Sequence, residues 1–319
     1  MIKTAIFDLG LPPECPQSFN LAQYVFSAGR ATPDKTALRV VDETLTARET
    51  YTFSELEAAV LSTAHGLENS GITKGDRILL RVGNSVDFPI LFFAASAIGA
   101  IPVPSSTMLT HAEVAFLVAD LEPKLVCASE DLDSGLPDNC RILTQTEFRA
   151  FRSLPYAHYA DTRRDDPAYM VYTSGTGGKP KGVLHAHRAA YARRMMWADW
   201  YGLSHDDRVL HAGAFNWTYT LGAGLTDPWA AGAQAIIYSG PSRKDIWADI
   251  AERNHATIFA AVPGVYRQLL STGHGLRDKF STLRHGLTAG ESLPPAIDAQ
   301  WRKKTGKPLY EALGMSEIS

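Results

Sequence analysis

Apolar residues recur along this chain in two alternating rhythms. From Leu56 they return at Val60, Ala64 and Leu67, the spacing that lays one stripe along a helix face, and Gly71 follows as a C-terminal stop. Ser54 and Glu57 stand in the S-x-x-E spacing of a capping box and predict the N-terminus of that helix. GDRILLRV then reads as a buried strand. Residues 88–110, FPILFFAASAIGAIPVPSSTMLT, carry no charge, but Pro89, Gly99, Pro102 and Pro104 interrupt them. A membrane span needs about 20 mostly apolar residues in one piece. The segment instead predicts a buried helix of about three turns running into a buried strand near Ile101–Val103. A helix over Ala112–Leu121 and the strand KLVCAS complete a strand–helix–strand rhythm.

The charged, proline-flanked stretch Pro155–Pro167, PYAHYADTRRDDP, reads as a connector between two lobes, 1–160 and 161–319. Beyond it the pattern resumes with a strand at Tyr169–Thr173, a glycine-rich loop and the strand VLHA. A helix over Ala189–Tyr201 and the strands AQAIIYS and ATIFAAV follow. The alternation predicts an α/β architecture.

Composition narrows the partners. The 319 residues are 45% hydrophobic and 20% charged, with a formal net charge of −3, so nothing draws the chain toward nucleic acid or an anionic membrane. Any phosphate must be met by local geometry. Cys15, Cys127 and Cys140 form no metal-ligand spacing and fit reduced thiols of a cytoplasmic protein. The N-terminus, with Asp8 early and no unbroken apolar run, predicts no signal peptide.

The segment from Tyr172 to Gly182, YTSGTGGKPKG, carries the chemistry. Gly175, Gly177, Gly178 and Gly182 let backbone N–H groups turn toward an anion, Thr173, Ser174 and Thr176 add hydroxyls, and Lys179 and Lys181 add charge. Such a loop can cradle the β- and γ-phosphates of ATP. It is not a Walker loop, because Pro180 follows Gly178-Lys179 and Thr173 stands where the first glycine would be.

This stretch resembles the TSGTTGKPKG signature of the adenylate-forming superfamily: acyl-CoA synthetases, luciferases and peptide-synthetase adenylation domains. Gly177 departs from it, standing where the family usually has Thr. His187 matches a histidine often found shortly after the loop. Residues 74–126 resemble the family's first lobe. Ala289-Gly290-Glu291 and Leu313-Gly314-Met315-Ser316-Glu317 resemble its AGE and YGxTE motifs, with Leu313 in place of the aromatic residue and Ser316 in place of Thr. The resemblance implies two stacked α/β lobes of a large N-terminal domain, incomplete at the C-terminal end. It implies ATP phosphates at Thr173, Ser174, Gly175, Thr176, Gly177, Gly178, Lys179 and Lys181. It places adenine at Gly290, Glu291, Ser292, Glu311, Ala312 and Leu313. Thr173, Ser316 and Glu317 are its catalytic residues, with Glu317 on Mg²⁺.

In HAGAFNWTYTLGAGLTDPWAAGA, Trp217 and Pro228 are eleven residues apart, and Gly232-Ala233 lies beyond. That spacing resembles the acetyl-, medium-chain and aryl-CoA synthetase branch rather than luciferases or peptide synthetases. It implies an acyl and CoA pocket of Phe215, Asn216, Trp217, Thr288, Ala289 and Gly314. Phe215, Trp217 and Tyr219 are aromatic walls fit for a flat or short apolar acid. The co-substrates implied are ATP, with Mg²⁺, and CoA, acting on a medium-chain or aromatic carboxylate. The family's ribose-binding aspartate, hinge and small C-terminal domain are not within the 319 residues. The expectation is therefore low activity from this chain alone, and a homodimer or a complementing C-terminal fragment as partner. The contrasting reading is a catalytically inactive nucleotide-binding remnant or half of a split synthetase.

Overall fold

The computed structural model describes residues 13–132, 136–137, 140–173, 180–241, 243 and 246–318. The strands, in chain order, are β1 (Thr36–Val41), β2 (Ala47–Thr52), β3 (Arg77–Arg81), β4 (Ile101–Pro104), β5 (Leu125–Ala128), β6 (Ile142–Thr144) and β7 (Pro167–Thr173). They continue with β8 (Lys181–Ala186), β9 (Arg208–His211), β10 (Gln234–Tyr238), β11 (Ile258–Ala260), β12 (His285–Thr288) and β13 (Leu309–Glu311). They form three sheets: a large one ordered β13-β12-β11-β9-β10-β1-β2, a smaller one ordered β4-β3-β5-β6, and the pair β7-β8. The smaller sheet is parallel throughout, and the large one is parallel except for the β1–β2 pair. The expected α/β architecture is present. The division at 155–167 is not how the sheets partition, because β1 and β2, from residues 36–52, belong to the same sheet as β9 to β13. The parallel pairing of β1 with β10 leaves no local signature in either segment.

One core joins the two larger sheets. The helix Asp87–Ala97 is buried at every position, which is why it shows no polar face. Its Phe88, Phe92 and Phe93 share a cluster with Ile78 and Leu80 of β3, Leu38 of β1 and Ala235 of β10. Phe93 packs on Phe26 and Trp229, and the Trp229 indole N–H donates to the Ala37 carbonyl at 2.8 Å. Residues 88–105 of the uncharged segment are thus interior, and its last residues come to the surface. No helix among the described residues is long and apolar enough to cross a membrane.

Asp87, wholly buried at the start of that helix, accepts from Arg149 (2.7 Å), Gln145 (2.8 Å) and Arg152. Burial alone would raise its carboxyl. The Arg149 hydrogen bonds, the Arg152 charge and Gln145 outweigh that and hold it below the usual carboxylate range. A second buried pair, Arg193 with Asp227 at 2.6 Å, takes a further hydrogen bond from the Tyr201 hydroxyl at 2.8 Å. Where Arg193 turns inward, the helix expected over Ala189–Tyr201 is interrupted. It runs only Arg188–Ala192, and a wide turn at Trp197–Tyr201 ends at Gly202.

The helix cap also differs from the expectation. The helix spans Phe53–Asn69, and Thr52 with Glu55 forms the reciprocal box: the Glu55 N–H donates to Thr52 Oγ1 at 3.2 Å, and the Thr52 N–H to Glu55 Oε2 at 2.8 Å. Glu57 instead pairs with Arg30 and accepts from the Tyr159 hydroxyl, both at 2.7 Å. Thr52 therefore carries the cap, and Thr52→Ala should cost about 1 kcal/mol of unfolding free energy while Ser54→Ala stays within about 0.5 kcal/mol. Denaturant titration of the two variants separates the assignments.

Asp87 gives a pH prediction. A carboxyl held low in the folded state adds stability above the ordinary carboxylate range, and loses it as pH falls through the depressed folded value. The midpoint of thermal unfolding should be level near neutrality and fall in acid. Asp87→Asn should destabilise by about 3 kcal/mol at pH 7 and flatten part of the acid limb.

Candidate functional site

In the large sheet β9 leads to β10 on one side, and the chain then crosses to β11 on the other, continuing outward to β12 and β13. The β9–β11 boundary is therefore a switch point, and in such sheets the crevice outside the carboxyl ends of the strands receives the ligand. The candidate segments collect there. Thr288 closes β12 and pairs with Glu311, which closes β13, and the Ala312 N–H donates to the Thr288 carbonyl at 2.9 Å. Gly290, at φ 94°, turns the chain out of β12 in a conformation that other residues rarely adopt. Glu311 Oε1 then accepts from the Leu293 N–H at 2.7 Å, tying together the two motifs expected to enclose adenine.

Between these motifs Glu291, Ser292 and Glu311 are exposed, and Leu313 is 97% exposed. Ala289 and Thr288 are buried, whereas Gly314 and Glu317 are exposed and Ser316 is half-buried. The phosphate-loop hairpin reaches the same edge. Thr173 pairs with Lys181 across β7 and β8, so both flank the loop, and the His185 ring of β8 lies beside the Ser316 backbone. Ser174, Gly175, Thr176, Gly177, Gly178 and Lys179 lie outside the described residues. His187 takes no part: it is wholly buried, accepts from the Leu21 N–H at 2.9 Å, and burial lowers its imidazole to about 4, the nearby Asp166 opposing.

A cavity of about 460 Å³ lies where the carboxyl ends of β3, β9 and β10 meet. Phe215 and Asn216 line it, with Phe88, Tyr238, Trp247 and the 82–84 and 105–107 segments. Phe215 stacks on Phe88 at 5.0 Å. Trp217, Thr288, Ala289 and Gly314 do not line it, and Trp217 is 57% exposed. Tyr219 packs on the opposite face of the sheet, its ring 4.6 Å from that of His211. The three aromatic residues expected to enclose one acid are therefore not brought together.

Two residues escaped the sequence reading. Asn84 donates to the Gly213 carbonyl at 2.7 Å and accepts from the Phe215 N–H at 3.3 Å, bracing the 213–215 loop from the smaller sheet. It also lines a second, more polar cavity of about 440 Å³ with Arg48, Gln145 and Arg149. His211, closing β9, is buried with neither ring nitrogen partnered among the described residues. A lone Asn and a lone His belong to no motif, so only their placement reveals them.

Comparison with known proteins shows the family. Residues 25–319 match the family model described as AMP-binding enzyme. The chain belongs to that family. Among its relatives, the 3-hydroxybenzoate–CoA ligase of Aromatoleum sp. strain CIB is 28% identical over 282 residues, covering 83% of this chain and 54% of that protein. The benzoate–CoA ligase of Thauera aromatica is 26% identical, covering 84% and 54%. A benzoate CoA ligase from Burkholderia xenovorans LB400 superposes with a TM-score of 0.84 at 28% identity, over 94% of this chain and 62% of that one. ATP-bound MatB from Rhodopseudomonas palustris, at 24% identity and TM-score 0.84, shares the fold. The chain spans about half the length of the curated relatives it matches, 54% of the two named here.

Asn84 should hold the loop in place. Two hydrogen bonds of about 1 kcal/mol each predict that Asn84→Ala costs about 1–2 kcal/mol. It should also speed hydrogen exchange at the Phe215 amide while the amides of β9 stay protected. Unchanged exchange at Phe215 would show that the brace is inert.

Proposed function

We propose that the chain activates a carboxylic acid with ATP, forming an acyl-adenylate and pyrophosphate, and passes the acyl group to the thiol of CoA with release of AMP. The substrate is an aromatic or medium-chain acid. The observation that carries this is the convergence, at one sheet edge, of the phosphate-loop hairpin, the 288–293 turn and the 311–317 segment. Family membership and the CoA-ligase relatives support it.

In this reading the loop from Thr173 to Lys181 holds the β- and γ-phosphates. The exposed Leu313 offers adenine an apolar face, with Glu291, Ser292 and Glu311 beside it. The Thr173 and Ser316 hydroxyls face the α-phosphate. Attack of the substrate carboxylate on the α-phosphorus, with pyrophosphate leaving, asks for no covalent nucleophile from the protein; position and charge lower the barrier. Mg²⁺, when bound, neutralises phosphate charge. Among the described residues no group of three ligating side chains gathers to hold an ion. A single carboxylate, Glu317, with nucleotide phosphates is nevertheless a donor set that Mg²⁺ accepts. The 212–217 loop and its cavity are the candidate acyl and pantetheine surface, through Phe215 and Asn216.

Pyrophosphate release from ATP, measured across a panel of benzoates and straight-chain acids, tests this. The chain is assayed alone and with the C-terminal region of a relative. Acid-dependent release supports the reading, and its absence under both conditions refutes it. In a parallel test, replacing Lys179 and Lys181 together with Ala should weaken ATP binding about tenfold or more. The unfolding midpoint should barely move, since the exposed Lys181 contributes little to stability. Equal ATP affinity in the double variant would remove the phosphate-cradle argument.

A further inference from the structure

The β7–β8 ribbon belongs to neither larger sheet, and its two strands flank residues 174–179. A two-stranded ribbon is marginally stable by itself. The order of the loop stem therefore depends on what the ribbon is fastened to. One face of β7 enters the central core: Tyr169 and Val171 lie in the cluster that holds Phe92, and Tyr169 stacks on His185 of β8 at 4.6 Å. The other face carries Met170 and Tyr172. Both pack on the cluster of Val103, Leu117 and Leu121 beneath the helix His111–Leu121. In the last turn of that helix, Asp120 Oδ2 accepts from the Tyr172 hydroxyl at 2.7 Å.

The sequence around this contact makes room for it. Gly182 stands directly across the ribbon from Tyr172. It is not among the glycines of positive φ, so what it supplies is space. A Cβ there would lie 2.6 Å from Met170 Sδ and 3.4 Å from Tyr172 Cζ. Any side chain at 182 would push both residues off their packing. Burial first, then the Asp120 hydrogen bond and charge, raise the Tyr172 phenol, so it remains a donor at neutral pH.

We infer that Tyr172 is a positioning residue for the phosphate loop: its hydrogen bond to Asp120 fastens the loop stem to the helix His111–Leu121 and sets where Thr173 and Lys181 stand. The inference rests on the phosphate-loop reading above. A fastened stem is ordered before the ligand arrives, whereas a loose one must be ordered by the ligand, at a loss of affinity. Only ligand groups that touch the loop feel that loss. In this reading ATP and pyrophosphate carry such phosphates. AMP, which lacks the β- and γ-phosphates, does not.

Calorimetric titration of the full chain with MgATP, pyrophosphate and AMP tests this. Tyr172→Phe and Asp120→Ala should each weaken ATP and pyrophosphate about three- to tenfold and leave AMP within about twofold. The two substitutions together should be no worse than either alone, because they remove the same contact. Asp120→Asn, whose amide oxygen still accepts, should retain most of the affinity. Tyr159→Phe is the control: it removes a hydroxyl bond of the same length, to Glu57, away from the loop, and should leave ATP binding unchanged. Unchanged ATP affinity in Tyr172→Phe overturns the inference and leaves the phosphate-loop reading standing, which the paired lysine substitutions test separately. So does an equal loss for ATP and AMP, or an equal loss of ATP affinity in Tyr159→Phe. Failure of the unsubstituted chain to bind ATP or pyrophosphate overturns both.

Discussion

The parallel registration of β9, β11, β12 and β13 is the constraint on which the site depends. Parallel strands present all their carboxyl ends on one edge, and the reversal of direction at β9 opens a crevice there. His211, Thr288 and Glu311, distant in the chain, stand at strand ends on that edge. A one-residue slip between β12 and β13 would turn Glu311 away from the Leu293 amide and separate the two candidate nucleotide motifs. The paired carbonyl of Thr288 and N–H of Ala312 continue the ladder past the strand and resist such a slip.

Electrostatics reinforce this frame away from the crevice. Asp87 and Asp227 are wholly buried, yet each is met by arginine and a further hydrogen-bond donor. Pairs of this kind add little net stability against an apolar alternative, but breaking one is expensive. Their effect is to fix geometry: Asp87 locks the central helix to residues 145–152, and Asp227 locks Arg193 and Tyr201 beneath the helical turns before β10. His185 and His211 are both shifted toward the neutral form, by burial first.

Much of the fold was legible in the sequence. The uncharged 88–110 stretch, with its breakers, gives the central helix and β4, and the strands β3, β5, β7, β8, β10 and β11 sit on apolar runs that can be read directly. What remained hidden was non-local. Nothing in residues 36–52 announces that they complete a sheet begun at 208. Ser54 and Glu57 satisfy the cap pattern as well as Thr52 and Glu55 do, and only the arginine and tyrosine that claim Glu57 decide between them. The helix expected through Tyr201 broke because a buried carboxylate, thirty-four positions on from Arg193, drew that side chain inward. The candidate site was readable where chemistry is written as a motif, at 172–182, 289–292 and 311–317. It was unreadable at Asn84 and His211, whose roles come from what surrounds them.

A crystal structure of the chain with a non-hydrolysable aryl-adenylate bears most directly on the central claim that these segments form one adenylate site. The account predicts adenine between residues 289–292 and 311–313 and the phosphate analogue beside Thr173 and Ser316. Adenine seated away from the carboxyl ends of β12 and β13 would contradict it.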